Sequence, residues 1–183
     1  MHEHQALRSS AADRGNIMRQ IRVEKVVLNI GVGEAGERLE KAKKVLETVS
    51  NGRKVIVTKA HNRTTFGAAK GRPLGVAVTL RGKEALEFLK KAFEAIDKKL
   101  PARVFDRQGD FSFGVKEHIG LPGTKYDPEI GIWGMDVAVR LARRGYRVSK
   151  KRISHRVGMS HRITPEEARE WTVRNLDVKV EEQ

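Results

Sequence analysis

No cysteine occurs in the 183 residues. That excludes a disulfide framework and any thiolate metal site, and it points to a reduced, intracellular compartment. No apolar run approaches the roughly 20 residues needed to cross a bilayer. The opening stretch, MHEHQALRSSAADRGN, is polar and carries Glu3 and Asp13, so it reads neither as a secretory signal nor as a transit peptide. Aromatic residues are only 5% of the chain, and the paired aromatic signatures of an RNA recognition motif are missing. So are a zinc finger, a helix-turn-helix and a Gly-Lys-Ser/Thr phosphate loop. No serine sits in an elbow motif, and Asp110, Glu117 and Asp127 are too scattered to argue for acid/base chemistry. The sequence therefore reads as a non-enzyme with no cofactor and no metal.

Carboxylates are also missing from two long stretches. Residues 53–83 hold eight basic side chains and no acid, and residues 140–162 hold nine and no acid. The whole chain is only +14, so everything outside these windows is net acidic. A surface built for solubility alone mixes its signs. Concentrated charge of this kind points to polyanions, and the sequence is read as having two nucleic-acid-facing regions. No motif supports a DNA reader. A membrane-surface role for 140–162 would need a broad apolar face that the run lacks.

The elements follow from periodicity. RVEKVVLNI (22–30) reads as a strand with Val26, Leu28 and Ile30 on one face, and Val27 suggests that the other face is partly covered. ERLEKAKKVLETVSN carries Leu39, Ala42, Leu46 and Val49 at helical spacing, and Asn51-Gly52 stops it. RKVIVTKA (53–60) and VAVTL (76–80) are further strands. KEALEFLKKAFEAIDKKL (83–100) is the clearest helix, with Leu86, Leu89, Phe93 and Ile96 inward and Pro101 at its end. DFSFGVKEH alternates Phe111, Phe113 and Val115, and MDVAVRL (135–141) returns to strand. TPEEAREW opens a last helix with Thr164 at the N-cap, Pro165 first and Glu167 closing a capping box. The expected class is α+β: a mostly antiparallel sheet with helices packed on one face, plus basic loops. Residues 1–16 read as a flexible tail and 17–183 as a single domain, with a basic extension at 140–162 and a short helix from about 165.

GVGEAG (31–36) matches a dinucleotide fingerprint. No acid follows at the end of the next strand, which finishes at Lys59, and there is no second mononucleotide half. Glycines that let the chain turn into the helix fit better. Among the histidines, His2 and His4 lie on the tail, and His155 and His161 lie in a basic run that disfavours another cation. Lys59, Arg63, Lys70 and Arg72 flank small residues that allow a nucleic-acid backbone to come close. Phe66 either stacks on a base or pins its loop to the core. Tyr146 and Val148 alternate as in an extended ribbon, which is equally a loop ordered only on its target.

Four segments in order, VEKVVLNIGVGEAG, KVIVTKAHNRTTFGAAKGRPLGVAVTLRG, GDFSFGVKEH and IWGMDVAV, resemble the family of large-ribosomal-subunit protein number five. The likeness covers nearly all of 17–141. Bacterial members finish soon after the MDVAV-like strand. This chain continues through RRGYRVSKKRISHRVGMSHRIT, similar to the archaeal form, so His155 onward is not read by bacterial analogy. The resemblance implies a structural, ribosome-bound, cytoplasmic protein that binds 5S rRNA in the central protuberance. That contact would fall on Asn29, Gly31, Gly33, Lys59, His61 and Arg63. It implies that the loop with Gly67, Lys70, Gly71 and Arg72 faces P-site tRNA. Arg143, Arg144, Arg147, Lys150, Lys151, Arg152 and Arg156 would be additional contacts with large-subunit rRNA. Further implied partners are the small-subunit head protein number thirteen, across an intersubunit bridge, and other central-protuberance proteins.

Overall fold

The central strand β1 (Ile21–Gly31) is built as the alternation requires: Val26, Leu28 and Ile30 are at most 2% exposed, while Val27 and Asn29 are half-buried on the opposite face. The computed structural model describes residues 16–63, 69–124 and 126–181. β1 lies between β3 (Pro73–Leu80) and β6 (Met135–Arg143). β2 (Ile56–Lys59) and β5 (Phe111–Val115) form the edges, giving the order β2-β3-β1-β6-β5 with every neighbour antiparallel. β1 and β2 therefore run in the same direction with β3 between them. A dinucleotide unit needs its two parallel strands side by side. Here an antiparallel strand separates them, and GVGEAG is a turn: Gly33 and Gly36 both have positive φ, at 80° and 128°.

Helices α1 (Glu37–Val49) and α2 (Lys83–Ala95) cover one face of the sheet, α1 against β3 and α2 against β1. α1 buries Ala42, Val45 and Leu46, so its inward stripe includes Val45 as well as the expected positions. α2 differs more. Its buried side chains are Ala85, Phe88, Leu89, Ala92 and Phe93, whereas Leu86 is 39% exposed. The helix also stops early: Asp97 and Lys98 both adopt φ 55°, and the next residues form β4 (Lys99–Pro101). Left-handed residues, not Pro101, end it. β4 pairs in parallel with β7 (Lys179–Glu181), a strand with no alternating signal of its own. β2 is shorter than the RKVIVTKA run and β3 begins earlier than VAVTL, because each strand extends only where its neighbour offers partners.

The mainly aliphatic core under the helices contains a cluster of phenylalanines. Phe93 stacks on Phe113 with centroids 5.0 Å apart, and Phe105 meets Phe111 at 5.1 Å. Helix α3 (Pro165–Leu176) joins the same core through Ala168 and Leu176. Its start is as the sequence indicates: the Thr164 hydroxyl accepts from the Glu167 N–H, and Glu167 Oε2 accepts from the Thr164 N–H at 3.1 Å.

Between β5 and β6 the chain is held by His118, which is 6% exposed. The His118 N–H donates to the Trp133 carbonyl at 2.9 Å, and its Nδ1 accepts from the Trp133 N–H at 3.2 Å. Burial pushes the imidazole below its ordinary 6.5. The unfolded chain therefore takes up a proton first as pH falls, so the stability held by neutral His118 is present above 6.5 and is lost below it. We predict that acidification from neutral pH into the range just below 6.5 lowers the unfolding midpoint, and that His118→Gln removes this component. Equal pH slopes in both proteins would rule it out.

Candidate nucleic-acid interface

Strand pairing defines a second face, opposite the helices. Ile56, Ala77, Asn29, Asp136 and Gly114 align across all five strands. Thr79, Val27, Ala138 and Ser112 form the adjacent row, and Thr58, Gly75 and Gly31 a third on the other side. Because successive side chains alternate between faces, all of these are on the side away from the core. They are small or polar apart from Val27 and Ile56, the latter 60% exposed. Two glycines in the third row do different work. A methyl group on Gly75 would meet the Ile30 carbonyl oxygen at 2.7 Å, whereas one on Gly31 would meet nothing within 4 Å. Gly75 lets strands close; Gly31 leaves open space in front of the sheet.

Of the residues expected to touch RNA, Asn29 and Gly31 lie on this face. Gly33 is in the turn beyond it, where the Val32 and Gly33 N–H groups both donate to the Leu74 carbonyl. Lys59, His61 and Arg63 are exposed at the same end of the sheet. The neck of the β2–β3 loop is closed by backbone bonds, from Ala60 N–H to Arg72 O at 2.8 Å and from Gly71 N–H to Ala60 O at 2.9 Å. Lys70 and Arg72 are exposed on it. Phe66 and Gly67, like the tail with His2 and His4, lie outside the described residues. Among the described residues, Lys59, Arg63, Lys70 and Arg72 have no carboxylate partner, whereas Arg53 pairs with Glu84.

The second basic window leaves from the opposite end. β6 runs antiparallel to β1 and ends with Arg143 facing Ile21, ten residues from Gly31. At about 3.3 Å per residue the two ends are roughly 30 Å apart. The acid-free window also acquires acids in space. Val23 pairs with Leu141 and Lys25 with Arg140, so Glu24 is the extra residue of a bulge, a device that re-aims a side chain. Its carboxylate meets Arg140 at 3.3 Å and also bonds Lys150. Burial alone would raise the Glu24 pKa, but Lys150 and Arg140 outweigh it and hold the group below 4.5. Asp110 lies 3.9 Å from Arg140. Burial raises its pKa above 3.8, although it accepts from the Leu141 N–H.

Three expectations for 140–162 need correction. Arg143 is 4% exposed; it donates to Glu167 at 2.9 Å and to the Arg162 carbonyl at 3.3 Å, so it is an internal clamp and not an RNA contact. Residues 140–143 belong to the sheet, so the excursion begins at Arg144. The Tyr146–Val148 alternation is not an extended ribbon but part of a 3-10 turn spanning Tyr146–Lys150. Tyr146 is structural. Its hydroxyl donates to the His161 carbonyl at 3.1 Å and accepts from the Ile163 N–H at 2.9 Å. With His161 Nε2 against the Arg144 carbonyl at 2.8 Å, these bonds bring the two ends of 144–162 together. Arg144, Arg147, Lys151, Arg152 and Arg156 remain exposed with no carboxylate partner among the described residues.

Sequence reading missed Ser112, Gly114, Asp136 and Ala138. Their signal was present: the same alternation that marks Phe111, Phe113, Val137 and Val139 as buried places these four on the opposite face. Among the described residues no cluster of three or more histidines or acids could hold a metal, and no helix is long and apolar enough to cross a membrane.

Comparison with known proteins identifies the family of the chain. Residues 16–65 match the model of the ribosomal protein L5 family, and residues 73–169 match the model of that family's C-terminus. The large ribosomal subunit protein uL5 of Sulfurisphaera tokodaii is 47% identical over 169 residues, covering 91% of this chain and 96% of that protein. The uL5 of Cenarchaeum symbiosum is 48% identical over 166 residues, covering 89% and 97%. That of Archaeoglobus fulgidus is 44% identical over 171 residues, covering 93% and 95%.

Proposed function

The chain belongs to the ribosomal protein L5 family, and on that premise we propose that it binds 5S rRNA with the open face of its sheet. It is a protein of the large ribosomal subunit with a part in translation and rRNA binding. The observation that carries the finer reading is a sheet face of small and polar residues, opposite the helices, with basic side chains beyond each end that have no carboxylate partner among the described residues. Small side chains let a ribose-phosphate backbone come close, Asn29, Thr58, Thr79 and Ser112 supply short hydrogen bonds, and the flanking cations meet phosphates. Asp136 sharpens this. A carboxylate beside Asn29 repels phosphate, so the middle of the face suits donors, 2′-hydroxyls or base amino groups, while phosphates lie toward the ends.

In this reading Asn29, Gly31, Gly33, Lys59, His61 and Arg63 form the 5S rRNA contact. The loop bearing Gly67, Lys70, Gly71 and Arg72 reaches toward P-site tRNA. Arg144, Arg147, Lys151, Arg152 and Arg156, with Lys150 partly engaged by Glu24, touch large-subunit rRNA. The half beyond residue 101 supplies the contact with small-subunit head protein number thirteen.

The test is binding to 5S rRNA, a transfer RNA and an unrelated hairpin of equal length, with salt varied over about 50–300 mM. Preference for 5S rRNA surviving at the high end is expected. Arg63→Ala should weaken 5S binding and reduce the salt slope by about one unit. Lys70→Ala and Arg72→Ala should leave 5S binding intact while impairing translation. Loss of 5S binding in those two variants would refute the division of roles. Equal affinity for all three RNAs would mean only that the protein is basic.

A further inference from the structure

Beneath the closed excursion 144–162 is a cavity of about 440 Å³, lined by Gln108 and Arg140 from the sheet side and by Tyr146, Ser154, His155, Arg156 and Arg162, among others. We propose that this cavity is a binding site for one nucleoside phosphate unit, taken from an unpaired RNA nucleotide or from a free nucleotide. The inference goes beyond the sheet-face reading and does not depend on it.

The chemistry of the lining is specific. Three arginines and a histidine converge on one space. Only Arg140 among them is met by carboxylates, Glu24 and Asp110. Its Nε faces Glu24 Oε2 at 3.3 Å and Asp110 Oδ2 at 3.9 Å, so Arg140 is engaged on the sheet side and the ligand falls to the other two arginines. Among the described residues Arg156 has no carboxylate partner, and the Arg162 guanidinium donates through its Nε alone, to the Val157 carbonyl at 3.3 Å. The guanidinium groups of Arg156 and Arg162 therefore keep donors for a phosphate, which arginine binds in a planar, two-point fashion. Ser154 and Ser149 also line the space, and the Ser149 hydroxyl is already turned to the Tyr146 carbonyl.

Size and the remaining wall argue for more than a phosphate. A cavity of about 440 Å³ falls within the roughly 300–1,000 Å³ typical of small-molecule sites, several times what a bare phosphate fills. Tyr146 and Val157 give it an apolar side. The Tyr146 ring is fixed by both hydrogen bonds of its hydroxyl and by an edge contact with His161 at 5.8 Å. A wall that is already ordered lowers the entropic cost of binding a planar base.

The experiment is an NMR titration of the full-length protein, following the amide and ring signals of residues 146–162 with three probes: inorganic phosphate, adenosine monophosphate, and a single-stranded tetranucleotide with internal phosphates only. Saturable shifts at Ser154, His155 and Arg156 are expected with at least one of the two nucleotide probes, and weaker ones with inorganic phosphate. Tighter binding of the tetranucleotide identifies RNA as the source, and tighter binding of the mononucleotide identifies a free nucleotide. Arg156→Ala should weaken binding about tenfold or more, the loss expected for a charge-assisted hydrogen bond. Ser154→Leu keeps the charge and puts an apolar side chain into the cavity wall, so it too should weaken binding. Unsaturating shifts spread over all basic surfaces, equal response to inorganic phosphate, or wild-type binding by Ser154→Leu would each overturn the proposal.

Discussion

Glu167→Ala is expected to cost about 3 kcal/mol of folding stability at the base of the basic excursion. The reason is the partner it leaves behind. Arg143 is 4% exposed and its guanidinium bonds Glu167 at 2.9 Å. Removing the acid leaves a buried charge with one carbonyl for company, a loss of roughly 3–5 kcal/mol when a pair is fully buried. Glu167 itself is 39% exposed, so water moderates the loss toward the lower end. The return bond of the capping box, from the Thr164 N–H, goes too, adding a few tenths of a kcal/mol to about one. Chemical denaturation measures the total. The control is Arg143→Met, which removes the charge that Glu167 answers. In that background Glu167→Ala should cost only its share of the cap, about 1 kcal/mol or less. An equal cost in both backgrounds would mean that the pair carries no coupling.

Gly31→Leu should leave the fold intact and reduce 5S rRNA affinity about 100-fold, roughly 3 kcal/mol. Nothing lies within 4 Å of a β-carbon added there, and Gly31 does not have the positive φ of Gly33 or Gly36. The fold therefore has no reason to resist it, and surface changes of this kind stay within about 0.5 kcal/mol. The added side chain would stand on the open face next to Asn29's row, where the proposed contact needs close backbone approach. Gly75→Ala is the counterpart. Its methyl would meet the Ile30 carbonyl at 2.7 Å and the Thr58 hydroxyl at 3.0 Å, so it should loosen β3 from β1 and lose stability before RNA is considered. Thermal unfolding separates the two variants, and filter binding reads the affinity. A Gly31→Leu protein that binds as well as wild type would show that 5S rRNA does not lie across this end of the sheet.

What the sequence made legible was local. Val26, Leu28 and Ile30 alternate because successive strand side chains point to opposite faces, and the same rule correctly placed Phe111, Phe113 and Val115. The capping box at Thr164 and Glu167 is spelled out by residues three apart, so it too was readable. Family membership followed from four such segments in order. Helix α2 shows where local rules give way. Apolar residues continue at helical spacing through Ile96, yet Asp97 and Lys98 turn left-handed and β4 begins, because β7 is there to pair with it. β7 comes from some 80 residues along the chain, and no window of sequence contains both strands.

The basic regions divide in the same way. Composition determined that positive charge concentrates in two acid-free windows, and hence that the protein meets a polyanion. Tertiary structure decided which of those charges are available. Arg53 is met by Glu84, Arg140 and Lys150 by Glu24, and Arg143 by Glu167, each partner lying 24 or more residues away in the chain. It also decided that the two windows leave opposite ends of the open sheet face, and that the second folds back over a cavity. Strand and helix periods follow from covalent geometry and can be read from neighbouring residues. Charge pairing depends on distance through space, so only the folded chain determines which arginines clamp the protein and which remain for RNA.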